Sequence, residues 1–214
     1  GMVDIENMRR EAETPSLATE RDLEGVAADL SAAFSDDVLL DWFLRTDGRR
    51  AAARLSFFRY LVRNVGFRVG RIERPAGGGA AAIWMPFEFV GPMPLLQELR
   101  LVPMLLGATG WKRFSRLSAL REDMDKHHPA ERRHAYLWFL GVTPEAQGHG
   151  VGSRLLAHAT ARLDAEGEAA YLETQTERNV GLYRRHGFAV ISEHRARADA
   201  PMMWSMWRDP IPAT

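Results

Sequence analysis

The sequence predicts a mixed α/β fold, in which a central sheet carries helices on both faces. A nearly unbroken apolar run from Ala135 to Val142 is typical of a strand buried on both faces. A glycine-rich turn and a stretch with apolar residues at helical spacing follow it, and a second apolar run begins at Ala169. A strand, a helix and a further strand in this order form a βαβ crossover, which places a helix against one face of a sheet.

Size and composition limit the possible classes of protein. The 214 residues, 46% of them apolar, suffice for one sizeable core, so we expect a single domain over residues 2–214. The formal net charge is zero, so we expect neither nucleic acid nor a membrane as partner. The absence of cysteine excludes a disulfide framework and a cysteine nucleophile. The polar start and the lack of a membrane-length apolar run lead us to expect a soluble, cytoplasmic protein.

The first half of the chain predicts helices and one β-hairpin. Their apolar residues recur at helical spacing or in short runs bounded by turn residues. In chain order, we expect a short strand near residues 16–18, a helix over 19–34, a helix over 49–65, strands over 67–74 and 80–89, and a helical insertion over 91–133.

The last third predicts the elements around the crossover. A helix from about Gly150 to Glu166 ends at Gly167, because glycine is a frequent helix stop. A short helix has Asn179 as its predicted N-cap and ends at Gly187. The remaining predicted strands cover residues 169–175, 188–195 and 202–208, and we expect the later ones to form antiparallel edges.

The glycine-rich turn, "EAQGHGVGSRLL" (residues 145–156), lies where the helix begins. Unpaired amides and the partial positive charge at a helix start attract anions, and glycine permits close approach to the backbone. A P-loop would need a lysine after its second glycine, and none is present. The dinucleotide fingerprint requires G-x-G-x-x-G, whereas this turn has G-x-G-x-G. The turn therefore predicts a different phosphate or diphosphate site.

Two motifs, about thirty residues apart, resemble those of the GNAT superfamily of N-acetyltransferases. The first matches Q/R-x-x-G-x-G/A through Gln147, Gly150 and Gly152. The second matches N-x-x-x-Y-x-x-x-G-F, with Asn179 and Tyr183 as its first two fixed positions. The resemblance is strongest over residues 136–210. It implies a GNAT-type mixed, mostly antiparallel central sheet and acetyl-CoA as co-substrate.

The resemblance also implies which residues contact the cofactor. Main-chain amides of the turn would hold the diphosphate, the edge of the preceding strand would bind the pantetheine arm, and Asn179 would touch the cofactor. Gly141 fits a bulge in that strand. Under the alternative interpretation, the glycines serve only tight helix–strand packing. The implied cofactor-binding residues are Leu140, Gly141, Val142, Gln147, Gly148, His149, Gly150, Val151, Gly152, Ser153, Asn179 and Tyr183.

Two residues are the candidates for acid and base catalysis. Tyr183 is the candidate acid, because a phenol stays protonated at neutral pH and can donate to a leaving thiolate. It could instead only pack against the sheet. Glu173 is the first candidate base, on the strand face opposite Leu172 and Thr174. Glu88 and then His134 are the further candidates.

Seven histidines raise the question of a metal site. None of them forms an H-x-x-x-H or H-E-x-x-H pattern, so we expect no metal. The Trp/Met-rich end from Met202 to Trp207 is expected to be core or a dimer contact, and a homodimer through it is a hypothesis.

The predicted activity is acetyl-CoA-dependent N-acetylation of a small or medium-sized amine, by direct transfer in a ternary complex. The alternative is a non-catalytic acetyl-CoA-binding sensor, and transfer of a longer acyl chain or to a hydroxyl also stays open. The acceptor is expected in a partly apolar cleft built from Met93, Leu96, Met104, Trp111, Phe114, Trp84 and Phe87.

Overall fold

The computed structural model describes residues 4–214 and contains one seven-stranded sheet. The strands lie in the order β1-β2-β3-β4-β5-β7-β6. Every neighbouring pair is antiparallel except β4 and β5, which are parallel. The strands are β1 (Ser16–Leu17), β2 (Arg71–Arg74), β3 (Ala80–Met85), β4 (His134–Val142), β5 (Ala169–Thr174), β6 (Ala189–His194) and β7 (Met203–Arg208).

Nine α-helical segments within residues 4–214 surround this sheet, and the expected mixed, mostly antiparallel fold with helices on both faces is confirmed. Short 3₁₀ turns join several of them. The segments are α1 (Ile5–Glu13), α2 (Leu23–Ala33), α3 (Val38–Phe43), α4 (Arg50–Leu61), α5 (Phe67–Val69), α6 (Leu95–Thr109), α7 (Phe114–His127), α8 (Val151–Glu166) and α9 (Glu177–Arg185).

Alternation along the strands gives the sheet two packed faces. Tyr136 and Tyr171 point to the face covered by α2, α4 and α7. Their neighbours Leu137 and Leu172 point to the opposite face, which α8 and α9 cover. Successive strand residues point to opposite faces, so strands buried on both sides read as continuous apolar runs.

The predicted strand over 67–74 is wrong in its first part. Residues 67–69 form α5, which continues a π-helical turn over Val62–Gly66. The helix ends at Gly70, where a Cβ would lie 2.6 Å from Met85 Sδ, so only glycine allows the chain to pass β3 this closely. The strand predicted to end at residue 89 ends at Met85, because Pro86 removes a ladder donor and a 3₁₀ turn follows.

Two helices were not predicted. Helix α1 is short and polar, and it packs on α8 through two buried residues, Met8 and Ala12. Helix α3 begins at an N-cap, Asp37, whose carboxylate accepts hydrogen bonds from the amides of Leu39 and Leu40. Both helices are too short for their sequence periodicity to be detected.

The Trp/Met-rich end is part of the core. It forms β7, an interior strand between β5 and β6, with Met203, Met206 and Trp207 buried. A homodimer stays a prediction. Across residues 4–214, no helix combines the length and apolar character that crossing a membrane requires.

Candidate active site

Strands β4 and β5 separate partway along the sheet. Their pairing runs from His134 with Ala169 to Leu137 with Leu172. Strand β4 continues to Val142, and within residues 4–214 this last part pairs only with β3, on its other side. The outer half of β4 therefore has an open edge on the side of β5, where its backbone groups have no strand partner within residues 4–214.

The glycine turn lies at the end of this open edge. Gly148 and Gly150 have φ angles of 80° and 79°, left-handed values that favour glycine. The amide of Arg154 is the first in α8 to bond backward, to the carbonyl of Gly150. The amides of Val151 and Gly152 precede that bond, so helix geometry leaves them without an intrahelical partner. They form a positively polarised start of α8 beside the edge of β4.

A cleft of about 680 Å³ joins the open edge, the glycine turn and α9. It collects almost all of the residues predicted to bind the cofactor. His149 is the exception, since it is exposed on the loop and does not line the cleft. The predicted residues that line it are Leu140, Gly141, Val142, Gln147, Gly148, Gly150, Val151, Gly152, Ser153, Asn179 and Tyr183.

The cleft also has walls that sequence analysis missed. The connection between α2 and α3 contributes Phe34, Asp36 and Val38 to one wall. Arg178 and Arg185, on α9, lie at the other wall. Arg178 directly precedes Asn179, and Arg185 lies two residues after Tyr183. These positions could have been read from the sequence, whereas the α2–α3 wall depends on tertiary folding.

Two predicted roles are wrong. Asn179 is not the N-cap of α9; Thr176 is, and its hydroxyl accepts a hydrogen bond from the amide of Asn179 at 3.2 Å. Gly141 is not a bulge, because it pairs regularly with Ala81. The register shift lies nearer the start of the strand, where Trp138 is the extra residue in β4.

Gly141 instead permits close helix packing. A Cβ at this position would lie 2.9 Å from the Cβ of Ala33 and 3.0 Å from side-chain atoms of Leu30 and Phe34. Helix α2 therefore lies almost directly on the backbone of β4. Gly152 differs, because a Cβ there would make only ordinary contact with Val142 at 3.6 Å and would project toward the edge of β4.

Tyr183 lies on α9, on the face of the sheet that α8 covers. Its side chain is 8% exposed, and burial raises the pKa of its phenol, so the hydroxyl is protonated throughout the physiological range. The ring packs edge-on against Phe188 at 5.9 Å between centroids. Among residues 4–214 no hydrogen bond occupies the hydroxyl, which leaves it free to donate into the cleft.

Glu173 lies just past Leu172, the last residue of β5 that pairs with β4, at the point where these two strands part. Its side chain points to the opposite face of the sheet from Tyr183. One carboxylate oxygen accepts a hydrogen bond from the hydroxyl of Tyr136. The other oxygen is buried and has no partner within residues 4–214. Burial raises the pKa of Glu173 to about 7, and the negative charge of Asp123 contributes.

The other two candidate bases are placed differently. Glu88 is exposed and forms an ion pair of 2.8 Å with Arg133, which lowers the pKa of the carboxyl. His134 is buried, with Nδ1 2.6 Å from the carbonyl oxygen of Arg132, and burial lowers its pKa. Of the three candidates, only Glu173 combines an unpartnered oxygen with a pKa near neutrality.

The apolar acceptor cleft expected from the sequence does not form as predicted. Trp84 points to the face covered by α8, away from the helical insertion. Leu96 and Trp111 are exposed, the latter by 87%. Met104, on α6, packs partly buried against the hydrophobic core. Helical spacing identified the helices of the insertion but not which of their faces is buried.

Comparison with known proteins agrees with this geometry. Residues 110–188 match the model of the Acetyltransferase (GNAT) family. An acetyltransferase structure from Corynebacterium glutamicum, described as histone acetyltransferase HPA2 and related acetyltransferase, is 25% identical with a TM-score of 0.69, over 94% of this chain and 98% of that one.

Two further structures resemble the chain at lower identity. The polyamine N-acetyltransferase of Drosophila melanogaster is 17% identical, with a TM-score of 0.61 over 91% of this chain and 98% of that one. An agmatine N-acetyltransferase is 16% identical, with a TM-score of 0.57 over 91% of this chain and 99% of that one. At these identities the likeness concerns the fold.

The parted strands, the glycine turn and the matched segment define an N-acetyltransferase of the GNAT type. Residues 110–188 resemble the GNAT acetyltransferase family, and the seven-stranded sheet with its parted strands has the GNAT-type fold.

Proposed function

We propose that residues 2–214 form one acetyltransferase domain, which moves an acetyl group from acetyl-CoA to the amine of a small or medium-sized molecule, directly within a ternary complex. The observation that carries the proposal is the cleft in which the glycine turn, the open edge of β4 and Tyr183 meet. Acetyl-CoA supplies an activated acetyl thioester.

The residues of the cleft fit this co-substrate. The unpaired amides of Val151 and Gly152, with that of Ser153, would bind the diphosphate at the start of α8. The open backbone edge of residues 140–142 would pair with the amide groups of the pantetheine arm, as an added strand pairs with a sheet. Gly152 leaves the space that a side chain would occupy.

The placement of Glu173 and Tyr183 on opposite faces of the sheet supports the direct mechanism. Glu173 faces the side of α7, where it would accept a proton from the incoming ammonium group. Tyr183 faces the side of α9, where its protonated phenol would donate to the sulfur that leaves. Because the strands part between these two residues, base and acid approach the reacting atoms without competing for the same space.

The acceptor is proposed to be a small amine. The named activities of two structural relatives, polyamine and agmatine N-acetyltransferases, support this substrate class. The wall formed by the α2–α3 connection carries the exposed carboxylate of Asp36, which suits a cationic acceptor. The aromatic ring of Phe34 on the same wall provides apolar contact.

A panel of acceptors with acetyl-CoA, monitored by release of free thiol, tests the proposal. Agmatine, a polyamine, an arylalkylamine and a basic peptide would be compared with the alcohol analogue of the best amine. We expect steady thiol release with at least one small amine and none with its alcohol analogue. Acetyl-CoA binding measured by calorimetry, with thiol release that never exceeds background, would support the sensor function instead.

A further inference from the structure

Side chains from four elements form a chain of hydrogen bonds that starts beside Glu173. The hydroxyl of Tyr171, on β5, donates to Ser205 Oγ on β7 at 2.8 Å. Ser205 Oγ lies 2.9 Å from His194 Nε2 on β6, and His194 Nδ1 lies 2.5 Å from a carboxylate oxygen of Asp123 on α7. The mechanism described above uses none of these four side chains.

The inner end of this chain meets the candidate base. Tyr171 lies two residues before Glu173 on the same face of β5, and Ser205 is the register partner of Glu173 on β7, so both hydroxyl groups lie on the same side of the sheet as the carboxyl. Tyr136, from β4, donates to the other side of the carboxyl. The ring of His128 lies over Tyr171 at 4.2 Å between centroids and shields this end from solvent.

The outer end reaches the surface at α7. His127 stacks on His194 with ring centroids 3.6 Å apart and planes inclined by 5°. Its Nδ1 lies 3.4 Å from Asp123, and its side chain is 24% exposed, against 5% for His194. Asp123, with a side chain that is 10% exposed, thus lies between the buried imidazole of His194 and the surface.

A metal ion is the other chemistry that Asp123, His127 and His194 suggest. Imidazole lone pairs lie in the ring plane, so a metal shared by two parallel rings would lie out of both planes. Both Nδ1 atoms also already have oxygen partners, the carboxylate of Asp123 and its main-chain carbonyl. The geometry favours hydrogen bonding over metal coordination.

We propose that Tyr171, Ser205, His194 and Asp123 form a proton relay that carries the proton removed from the acceptor amine away from Glu173 to Asp123 and the solvent. This inference rests on the proposed function. Glu173 takes the proton from the ammonium nitrogen and passes it to the oxygen of Tyr171, whose own proton moves to Ser205. Ser205 protonates His194 Nε2, and the proton on Nδ1 leaves through Asp123. Each member gains one proton and loses one, so no charge is left behind. Rotation of the two hydroxyl groups and return of His194 from the Nε2–H to the Nδ1–H tautomer reset the relay.

The charged and titratable groups around Glu173 come from every element packed against it. They are Tyr136 and His134 on β4, Tyr171 on β5, His194 on β6, Asp123, Asp125 and His127 on α7, and His128 after it. A pH dependence of kcat is assigned to Glu173 only if it is lost in Glu173→Gln, because these neighbouring groups titrate as well.

Three variants interrupt the relay while leaving Glu173 in place: Tyr171→Phe, Ser205→Ala and His194→Gln. For each, kcat, the KM of the acceptor, the Kd of acetyl-CoA and the solvent isotope effect on kcat are measured between pH 6 and 9. We expect kcat to fall about tenfold to hundredfold and the solvent isotope effect to rise, with KM and Kd unchanged. His158→Gln, a histidine on α8 outside the relay, is the matched control and should retain parental kcat.

Folding defects are separated from relay defects by Tyr171→Phe, which keeps the shape of the ring and removes only the hydroxyl. Its acetyl-CoA affinity should match that of the parent, which shows that the fold of the cleft is retained. Parental kcat and isotope effect in all three variants, with an active parent, would overturn the relay alone. A parent that releases no thiol with any amine would overturn the proposed function and the relay together. Restoration of activity in His194→Gln by Zn²⁺, and not by imidazole, would overturn the relay in favour of a metal site.

Discussion

The cofactor side and the acceptor side of the candidate active site are built in different ways. On the cofactor side, the groups that would hold the ligand belong to the main chain: the edge of β4 and the first amides of α8, exposed by glycine. On the acceptor side, the chemistry depends on side chains such as Glu173 and Tyr136, brought together from distant parts of the sequence.

This difference makes the two sides sensitive to different changes. A main-chain site is lost when a side chain enters the space that glycine leaves open. A side-chain site is lost when one functional group is removed, even if the shape is preserved. Substitutions at glycine test the main-chain site, and substitutions that remove one functional group test the side-chain site.

The largest effect is expected from Gly152→Val. Its Cβ would lie 3.6 Å from Val142 and its branches would fill the space between α8 and the edge of β4. Hydrogen bonds to charged groups are worth about 1.5–3 kcal/mol each. Losing the two that the amides of Val151 and Gly152 would donate to the diphosphate therefore weakens acetyl-CoA binding by at least about hundredfold. Calorimetry measures the affinity. Ala157→Val, an exposed change on the same helix, is the matched control for helix propensity and should bind normally.

Tyr183→Phe should lower kcat by about hundredfold and leave the affinity for acetyl-CoA unchanged. The ring keeps its packing against Phe188, and only the proton donor is removed. Steady-state kinetics and calorimetry on the same preparation separate the two quantities. Tyr60→Phe on α4, outside the cleft, is the control. A loss of less than about tenfold would mean that Tyr183 has only a packing role.

Glu173→Gln tests the acceptor side through pH. In the parent, kcat/KM should rise as pH increases through about 7, because the carboxylate is the form that accepts a proton. The glutamine variant should lose this rise and be roughly tenfold to hundredfold slower at pH 8. An unchanged pH profile would remove Glu173 from the mechanism.

The same substitution has a consequence for stability with a defined sign. The pKa of Glu173 is raised above its unfolded value of 4.5, so its contribution to folding is most favourable below that value and is lost as pH rises to about 7. Glu173→Gln should therefore unfold at a higher temperature than the parent above pH 7. The difference should shrink toward pH 4.5, as thermal unfolding across this range would measure.

The sequence predicted the cofactor side closely, because glycines and helix starts are local signals. The turn, α8 and the run that becomes β4 lie within about thirty residues, and Gln147, Gly150 and Gly152 fixed their arrangement. The place where β4 and β5 part was expected from the family resemblance alone, since no local pattern records where parallel pairing stops.

The acceptor side was predicted less well for a physical reason. The placement of Glu173 on its strand was correct, but its pairing with Tyr136 joins residues far apart in the sequence. Asp123 and His194 are also remote from each other, so no motif spacing could bring them together. Strand alternation assigns a face to each side chain but does not name its partner on the next strand.

The smallest effect is expected at Gly141, which was predicted to form a strand bulge and instead lies against α2. Gly141→Ala should destabilise the protein by about 1–3 kcal/mol, because its Cβ would lie 2.9–3.0 Å from three side-chain atoms on α2. Gly107→Ala on α6 is the matched control, since nothing lies within 4 Å of its Cβ, and there alanine should stabilise the helix by up to about 1 kcal/mol. Chemical denaturation measures both. A strand bulge at Gly141 would tolerate alanine, so equal signs for the two variants would contradict close packing of α2 on β4.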